Sequence, residues 1–239
     1  MGKGKKGSGG GSMKVVITGA SGGIGKAVAS LFLRNGHRVI GLDLCESTLG
    51  QEFPNSSYTH FVCDITKADS LPQIDGVQIL ICCAGVQNCE KRGLDDIDVN
   101  LKGTINTVES YAFQSAIRSV LIVASASAHT GSEFPLYSAS KGGLLAYTRN
   151  VALRLVKFGA TCNSISPGGV RTELNKPVMD DPVLWKRIMD VTPLKKWAEP
   201  GEIAQWCYFL TVVNQSCTGE DILIDNGETH LNSSFVWPE

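Results

Sequence analysis

The stretch Thr18-Gly19-Ala20-Ser21-Gly22-Gly23-Ile24-Gly25 decides the fold. It follows a short apolar run, Lys14-Val15-Val16-Ile17-Thr18, and precedes a helix-like segment at 26–34 that Asn35-Gly36 ends. A strand that turns at once into a helix needs glycine in the turn. Bare backbone there also lets a pyrophosphate approach the helix N-terminus, where unpaired N–H groups and the helix dipole favour negative charge. A glycine-rich loop alone is weak evidence. Its position between a strand and a helix, upstream of the acidic strand end at Asp43, makes it much stronger.

Working outward, further strand-like runs fall at 37–43, 60–64, 77–83, 120–124, 160–166 and 220–225. Helical patterns fall at 101–117, 135–157 and about 200–210. Runs that are apolar almost end to end are buried on both faces, and their alternation with helices implies right-handed crossovers and a parallel sheet. The expectation is a single Rossmann-type doubly wound α/β sheet of about seven strands with helices on both faces.

Composition agrees. In 239 residues, 43% are hydrophobic and 19% charged, which suits a substantial core and disfavours disorder. A formal net charge of −1 does not support a nucleic-acid or anionic-membrane surface. No apolar run approaches the ~18–20 residues of a membrane span. Residues 1–12 hold only Gly, Ser and Lys after Met1, and read as a leader or linker rather than a secretory signal. Met13 then reads as the native start, and 13–239 as one domain.

Cysteines stand at 45, 63, 82, 83, 89, 162, 207 and 217. Without a signal peptide they imply a reducing, cytoplasmic setting rather than disulfides, and no spacing fits a metal site.

Asp43 ends the second strand. A carboxylate there can accept from the adenosine ribose hydroxyls and repel a 2′-phosphate, which favours NAD over NADP. No lysine or arginine lies within the glycine turn, and Lys26 begins the helix beyond it. Tyr137-Ser138-Ala139-Ser140-Lys141 places a phenol and an ammonium on one helix face. Free tyrosine titrates near ~10, and bringing it to ~7 takes about 4 kcal/mol of differential stabilisation, which a neighbouring cation can help supply. Such a phenol exchanges protons near neutral pH.

With these motifs in this order, the chain resembles the short-chain dehydrogenase/reductase family over 14–226. The family's T-G-x-x-x-G-x-G matches Thr18, Gly19, Gly23 and Gly25. Its Y-x-x-x-K matches Tyr137 and Lys141, its active-site asparagine Asn100, and its adenine-side aspartate Asp64. Its P-G-x-x-x-T matches Pro167, Gly168 and Thr172. The resemblance implies catalytic roles for Asn100, Ser125, Tyr137 and Lys141. It implies cofactor contacts from Gly19, Ser21, Gly23, Ile24, Asp43, Leu44, Asp64, Ile65, Cys83, Ala84, Gly85, Tyr137, Lys141, Pro167, Gly168, Val170 and Thr172.

Ser125 fits the serine role best because it ends the fifth apolar run. It lies one residue closer to the tyrosine than is usual, and Ser127 stays open as a substitute. His129 reads as a loop or pocket-wall residue. The family's N-N-A-G is Cys82-Cys83-Ala84-Gly85 here, so both amides are missing. The 64–77 and 85–100 connections are short, which implies trimmed helices.

These short connections are similar to those of bacterial 3α-hydroxysteroid dehydrogenase/carbonyl reductases, and 123–130 resembles dihydroxybenzoate-forming dehydrogenases. The resemblance implies NAD(H)-dependent interconversion of a secondary alcohol and a ketone, possible for a hydroxysteroid, bile acid or other cyclic alcohol. The apolar residues of 173–194, among them Trp185, Ile188 and Met189, suit a lid over a hydrophobic substrate. A non-catalytic NAD(H)-binding redox sensor and an epimerase are the alternatives. A homodimer or homotetramer is expected through 101–117 and 135–157: of Leu144, Leu145, Tyr147, Val151, Leu155 and Phe158, one face can line the site and core, and the remaining apolar residues need a partner, with 231–237 docking on a neighbour.

Overall fold

The computed structural model describes residues 11–87, 94–132 and 134–231. Cys89 and 232–239 lie outside the described residues, as does nearly all of the expected leader.

Seven strands form one parallel sheet: β1 (Lys14–Thr18), β2 (Arg38–Asp43), β3 (Tyr58–Val62), β4 (Ile79–Cys82), β5 (Ser119–Val123), β6 (Thr161–Pro167) and β7 (Asp221–Ile224). Their order is β3-β2-β1-β4-β5-β6-β7. The order reverses between β1 and β4, and this switch point leaves a crevice at the carboxyl ends of the strands. The expected doubly wound sheet is therefore present.

Each face of the sheet carries its own apolar core. On one, α1 (Gly23–Arg34) contributes Phe32 and Leu33, and a late helix, Pro200–Tyr208, contributes Ile203, Ala204 and Cys207. On the other, Thr104–Tyr111 contributes Val108 and Tyr111, and Pro135–Leu155 contributes Leu144, Val151 and Leu155. In chain order the remaining helices are α2 (Leu49–Glu52), α3 (Thr104–Tyr111), α4 (Ser127–Thr130), α5 (Pro135–Leu155), α6 (Lys176–Met179), α7 (Pro182–Val191) and α8 (Pro200–Tyr208).

Several boundaries differ from the sequence reading. α1 starts at Gly23, inside the glycine turn, and β3 runs Tyr58–Val62 rather than 60–64. The helix read at 101–117 is a π-helical turn, Ile97–Gly103, followed by α3, which stops at Tyr111. Beyond it, the Gln114 side chain accepts from Val77 N at 3.2 Å and donates to the Ile74 carbonyl at 2.8 Å. These bonds tie 112–117 to the start of β4.

The helix that would join β3 to β4 is reduced to one 3₁₀ turn, Ala68–Ser70. β3 is consequently poorly covered, with Phe61 38% and Val62 54% exposed.

The apolar residues singled out on 135–157 pack inside the chain. Leu144, Val151 and Leu155 are core, and Leu145, Tyr147 and Phe158 pack against it. The large apolar side chains that α5 and the turn after it leave exposed are Leu153 and Val156.

Candidate active site

The glycine turn is shaped by close backbone contacts. Gly19 has φ +68°, and a Cβ there would stand 2.8 Å from Ala84 N. A Cβ on Gly25 would collide with the Gly19 carbonyl. Gly22 caps α1 with no side-chain hydrogen bond, no acid occupies the first turn, and the space beside Gly22 is open. A twelve-residue helix thus presents unsatisfied N–H donors to an open crevice, which fits a dinucleotide's pyrophosphate.

Other segments converge on this turn. The Thr18 hydroxyl accepts from Cys83 N at 3.1 Å and Ala84 N at 3.2 Å, drawing the end of β4 to the end of β1. The Thr172 methyl lies 3.6 Å from a Cβ placed on Gly23. Pro167 ends β6, Gly168 lies flush against Asp225, and Val170 is buried. Gly169 has no room for a side chain because the Trp197 indole fills that space.

At the other end, Asp43 accepts from Ser21 N at 2.9 Å and Cys45 N at 3.1 Å. The Cys45 carbonyl accepts from the Ser21 hydroxyl at 2.9 Å and stands 2.9 Å from His60 Nε2. A carbonyl only accepts, so Nε2 carries the proton, while Nδ1 stands 3.0 Å from the Tyr58 hydroxyl, which also meets the Ser47 hydroxyl at 3.0 Å. Sequence reasoning missed this bracing, which only the β2–β3 pairing reveals.

Leu44 is exposed, Ile24 is half-buried, and Ile65 is buried against Gly103. Asp64 accepts from Thr66 N and its hydroxyl and pairs with Lys67 at 3.1 Å, bonds that hold its carboxyl below the usual range.

The chemical end gathers around Lys141. It is 5% exposed, donates to the Val123 carbonyl at 3.0 Å, and lies 5.7 Å from the centre of the Tyr137 ring. Burial lowers it to about 8, against the opposing pull of Cys83 and Asp96. A Cβ on Gly85 would stand 3.1 Å from Asn100 Oδ1 and 3.3 Å from Lys141 Nζ, so glycine lets the chain pass between them.

Asn100 is fully buried in the π-helical turn. Its amide accepts from Val86 N at 2.8 Å and donates to the Val86 carbonyl at 2.9 Å and the Ser140 hydroxyl at 3.1 Å. Ser140 in turn donates to the Tyr137 carbonyl at 2.7 Å. Ser140 thus joins the asparagine turn to the tyrosine helix, a role its position in Y-x-x-x-K did not disclose.

Ser125 stands two residues beyond the end of β5 and is buried. Its hydroxyl oxygen accepts from Ser127 N at 3.2 Å and the Ser127 hydroxyl at 3.0 Å. The proton on Ser125 is left to be offered elsewhere, whereas Ser127 spends its own on Ser125. His129 is engaged with Asp221 at 2.7 Å.

Cys82 and Cys83 alternate as strand neighbours do. Cys82 is part of one core, and Cys83 packs against the other. Burial pushes the Cys83 thiol up to about 12 despite the pull of Lys141. The missing amides are therefore replaced by neutral, apolar-packed thiols, while Thr18 still fixes the backbone of Cys83 and Ala84.

An open parallel sheet with a bare glycine turn and a buried lysine beneath a tyrosine defines a nucleotide-dependent redox enzyme fold. A family model described as enoyl-(acyl carrier protein) reductase matches residues 19–229. Glucose 1-dehydrogenase of Gluconobacter oxydans is 32% identical over 244 residues, covering 90% of this chain and 91% of that protein. An oxidoreductase of the short-chain dehydrogenase/reductase family from Burkholderia thailandensis superposes with a TM-score of 0.83 at 28% identity, covering 92% and 94% of the two chains. The NADP-bound structure of ElxO shares the fold, with a TM-score of 0.82 at 23% identity over 91% of this chain and 98% of that one.

This chain belongs to the short-chain dehydrogenase/reductase family. It is an oxidoreductase of that family, whose fold binds a nicotinamide cofactor. No helix among the described residues is long and apolar enough to cross a membrane.

Proposed function

We propose that this protein is an NAD(H)-dependent dehydrogenase/reductase that interconverts a secondary alcohol and a ketone on a hydrophobic, preferably cyclic, substrate. The observation that carries the reading is the buried Lys141 ammonium beneath the Tyr137 ring, at the crevice that the uncapped α1 faces. When bound, the nicotinamide supplies the hydride or accepts it.

Tyr137 holds the proton that passes to or from the substrate oxygen. Lys141 favours the phenolate through its charge, and the Val123 carbonyl fixes its position. Ser125 donates to the substrate oxygen, supported from behind by Ser127. Asn100 holds the Val86 backbone and, through Ser140, the register of the tyrosine helix.

The glycine turn from Gly19 to Ile24 would hold the pyrophosphate, Asp43 and Leu44 the adenosine ribose, and Asp64 and Ile65 the adenine. Cys83, Ala84, Gly85, Pro167, Gly168, Val170 and Thr172 would line the nicotinamide half. A panel of secondary alcohols, hydroxysteroids and sugars, read by NADH absorbance, tests the reading. No turnover on any of them would overturn it.

NAD preference is supported by Asp43 and by the engagement of Lys26, which donates to Thr48 at 2.9 Å and pairs with Glu52 at 2.7 Å. That lysine is thus committed away from a 2′-phosphate. Asp43→Ala should shift the ratio of kcat/KM from NAD toward NADP by about 10- to 100-fold, the worth of hydrogen bonds to a charged group. An unchanged ratio would reject the assignment.

The two serines separate by kinetics. Ser125→Ala should lower kcat by about 10²–10³-fold, as loss of one donor to a developing oxyanion does, and Ser127→Ala by clearly less. The reverse order would make Ser127 the substrate's partner.

The segment 173–194 forms the lid over a hydrophobic substrate. Among its apolar residues, Trp185, Ile188 and Met189 are half-buried and Val183 is 70% exposed. A homodimer or homotetramer is supported by Leu153 and Val156, and by Trp206, Phe209 and Val213, all exposed on helical surfaces. Light scattering should find at least a dimer, and an active monomer would refute it. Seven free cysteines among the described residues suit the reducing cytoplasm, where we place the enzyme.

A further inference from the structure

The lid is an excursion with a closed stem. The chain before it and the chain after it meet in a parallel bridge between Val170 and Ala198. Ala198 N donates to the Gly169 carbonyl at 3.1 Å, and Arg171 N donates to the Ala198 carbonyl at 2.9 Å. The stem borders the crevice, because Thr172 faces Gly23 of the glycine turn.

The excursion itself is shallowly packed. No residue of α7 is fully buried, and Val183 and Val191, towards its two ends, are each 70% exposed. Each foot is tied by a hydrogen bond. The Asn175 amide donates to the Val170 carbonyl at 2.8 Å, and Leu194 N donates to the Asn226 carbonyl at 3.2 Å.

Near the midpoint, Trp185 turns back onto the stem. Its ring meets the Trp197 ring edge-to-face, with centres 5.0 Å apart and planes at 83°. The Arg171 guanidinium lies over the Trp185 ring, 5.8 Å from its centre. Both contacts are attractive, because an aromatic ring is negative on its face and positive at its edge.

Both partners are fixed in advance. Trp197 is buried and fills the space that a side chain on Gly169 would need. Arg171 Nε pairs with Glu199 Oε1 at 3.0 Å. That ion pair is exposed and adds little energy, but it orients the guanidinium. A tie at the midpoint divides one long loop into two short ones, and so restricts where α7 can stand.

We propose that Trp185 is a positioning residue for substrate: its indole, seated on Arg171 and Trp197, sets the height of α7 above the segment from Pro167 to Thr172. The inference rests on the reading of 173–194 as the substrate lid and of 167–172 as the lining of the nicotinamide half. None of the contacts that seat Trp185 involves a group assigned to proton transfer. The hydrogen bonds of the stem do not pass through Trp185 either. Loss of the indole should therefore spare the cofactor and the chemical step and fall on substrate KM.

The test compares wild type, Trp185→Leu and Trp185→Phe. Leucine keeps apolar bulk without a ring, whereas phenylalanine keeps a ring that can meet both partners. Two readouts are taken: substrate KM against kcat, and amide hydrogen exchange of 182–191 corrected for intrinsic rates. The second needs no turnover. A loosened α7 in a protein that turns over no alcohol would fault the proposed activity and leave the seat of Trp185 standing.

Trp185→Leu should lower the protection of α7 and raise substrate KM, each by about tenfold, the joint worth of an aromatic pair and a cation over a ring. Its kcat and its affinity for NADH or NADPH, whichever wild type binds, should stay within about twofold. Trp185→Phe should keep most of the protection and most of the KM. A Trp185→Leu protein with wild-type protection of α7 would overturn the proposal. So would a Trp185→Phe protein as impaired as Trp185→Leu, or an active Trp185→Leu protein with loosened α7 and unchanged KM. Loss of cofactor affinity together with KM would make the role merely structural, and would equally overturn it. Should Trp185→Leu fail to fold, Arg171→Met decides: removal of the cation alone should lower α7 protection by about threefold, and wild-type protection would reject the seat.

Discussion

Tyr137→Phe should lower kcat by at least about 10²–10⁴-fold while leaving NADH binding nearly unchanged. The substitution removes one hydroxyl and keeps the ring that lies over Lys141. Half-buried in α5, the ring loses no packing, so the fold should persist. The measurements are single-turnover reduction for the chemical step and fluorescence titration for NADH. A folded variant with near-native kcat would remove Tyr137 from proton transfer. A variant that also lost NADH affinity would assign the hydroxyl a binding role instead.

Lys141→Met should show two large effects of opposite sense. Turnover should fall by about 10²–10⁴-fold, because the cation that favours the phenolate is gone. Stability at neutral pH should nevertheless rise. Burial lowers Lys141 from 10.5 to about 8, so its charged form is disfavoured in the folded state by roughly 3 kcal/mol.

Methionine removes that cost but leaves the Val123 carbonyl without its donor, which returns about 1–3 kcal/mol. A net gain of roughly 1 kcal/mol corresponds to a Tm increase of about 2–4 °C for a chain of this size. The sign with pH follows from the lowered value. The unfolded chain keeps its lysine proton up to about 10.5, and the folded chain loses it near 8. Wild-type stability therefore recovers between those values, and the advantage of Lys141→Met should shrink over the same window. A variant less stable than wild type at neutral pH would reject this account.

The fold was largely legible because its decisive signals are local. Buried parallel strands are continuous apolar runs, and a strand-to-helix turn needs glycines where backbones touch. Cys82 and Cys83, as strand neighbours, were bound to face opposite cores. The π-helical turn that carries Asn100 was not legible, since one residue of extra winding leaves no mark on hydrophobic periodicity. α3 ends early because Gln114 satisfies backbone groups near β4, a long-range bargain that a helical-looking segment hides. On α5 it is Leu144, Val151 and Leu155 that fill the core, a division the sequence left open because helix periodicity cannot say which apolar face meets the sheet.

The candidate site divides in the same way. Tyr137, Lys141 and the glycine turn lie in contiguous motifs. The residues that brace them do not: Ser140 behind Asn100 and His60 behind Cys45 each act across a distance that only the folded chain closes.

The lost helix between β3 and β4 bears on how the molecule breathes. An edge strand with Phe61 and Val62 open to water, tied to the next strand by a single 3₁₀ turn, is a weakly cooperative unit that opens locally before the rest of the sheet. Yet His60 of that strand reaches the Cys45 carbonyl, and through it Ser21 and the glycine turn. Whatever steadies the turn also quiets the edge. That edge is thereby coupled to the Asp43 end of the crevice, and occupancy of that end should register as slower amide exchange along β3.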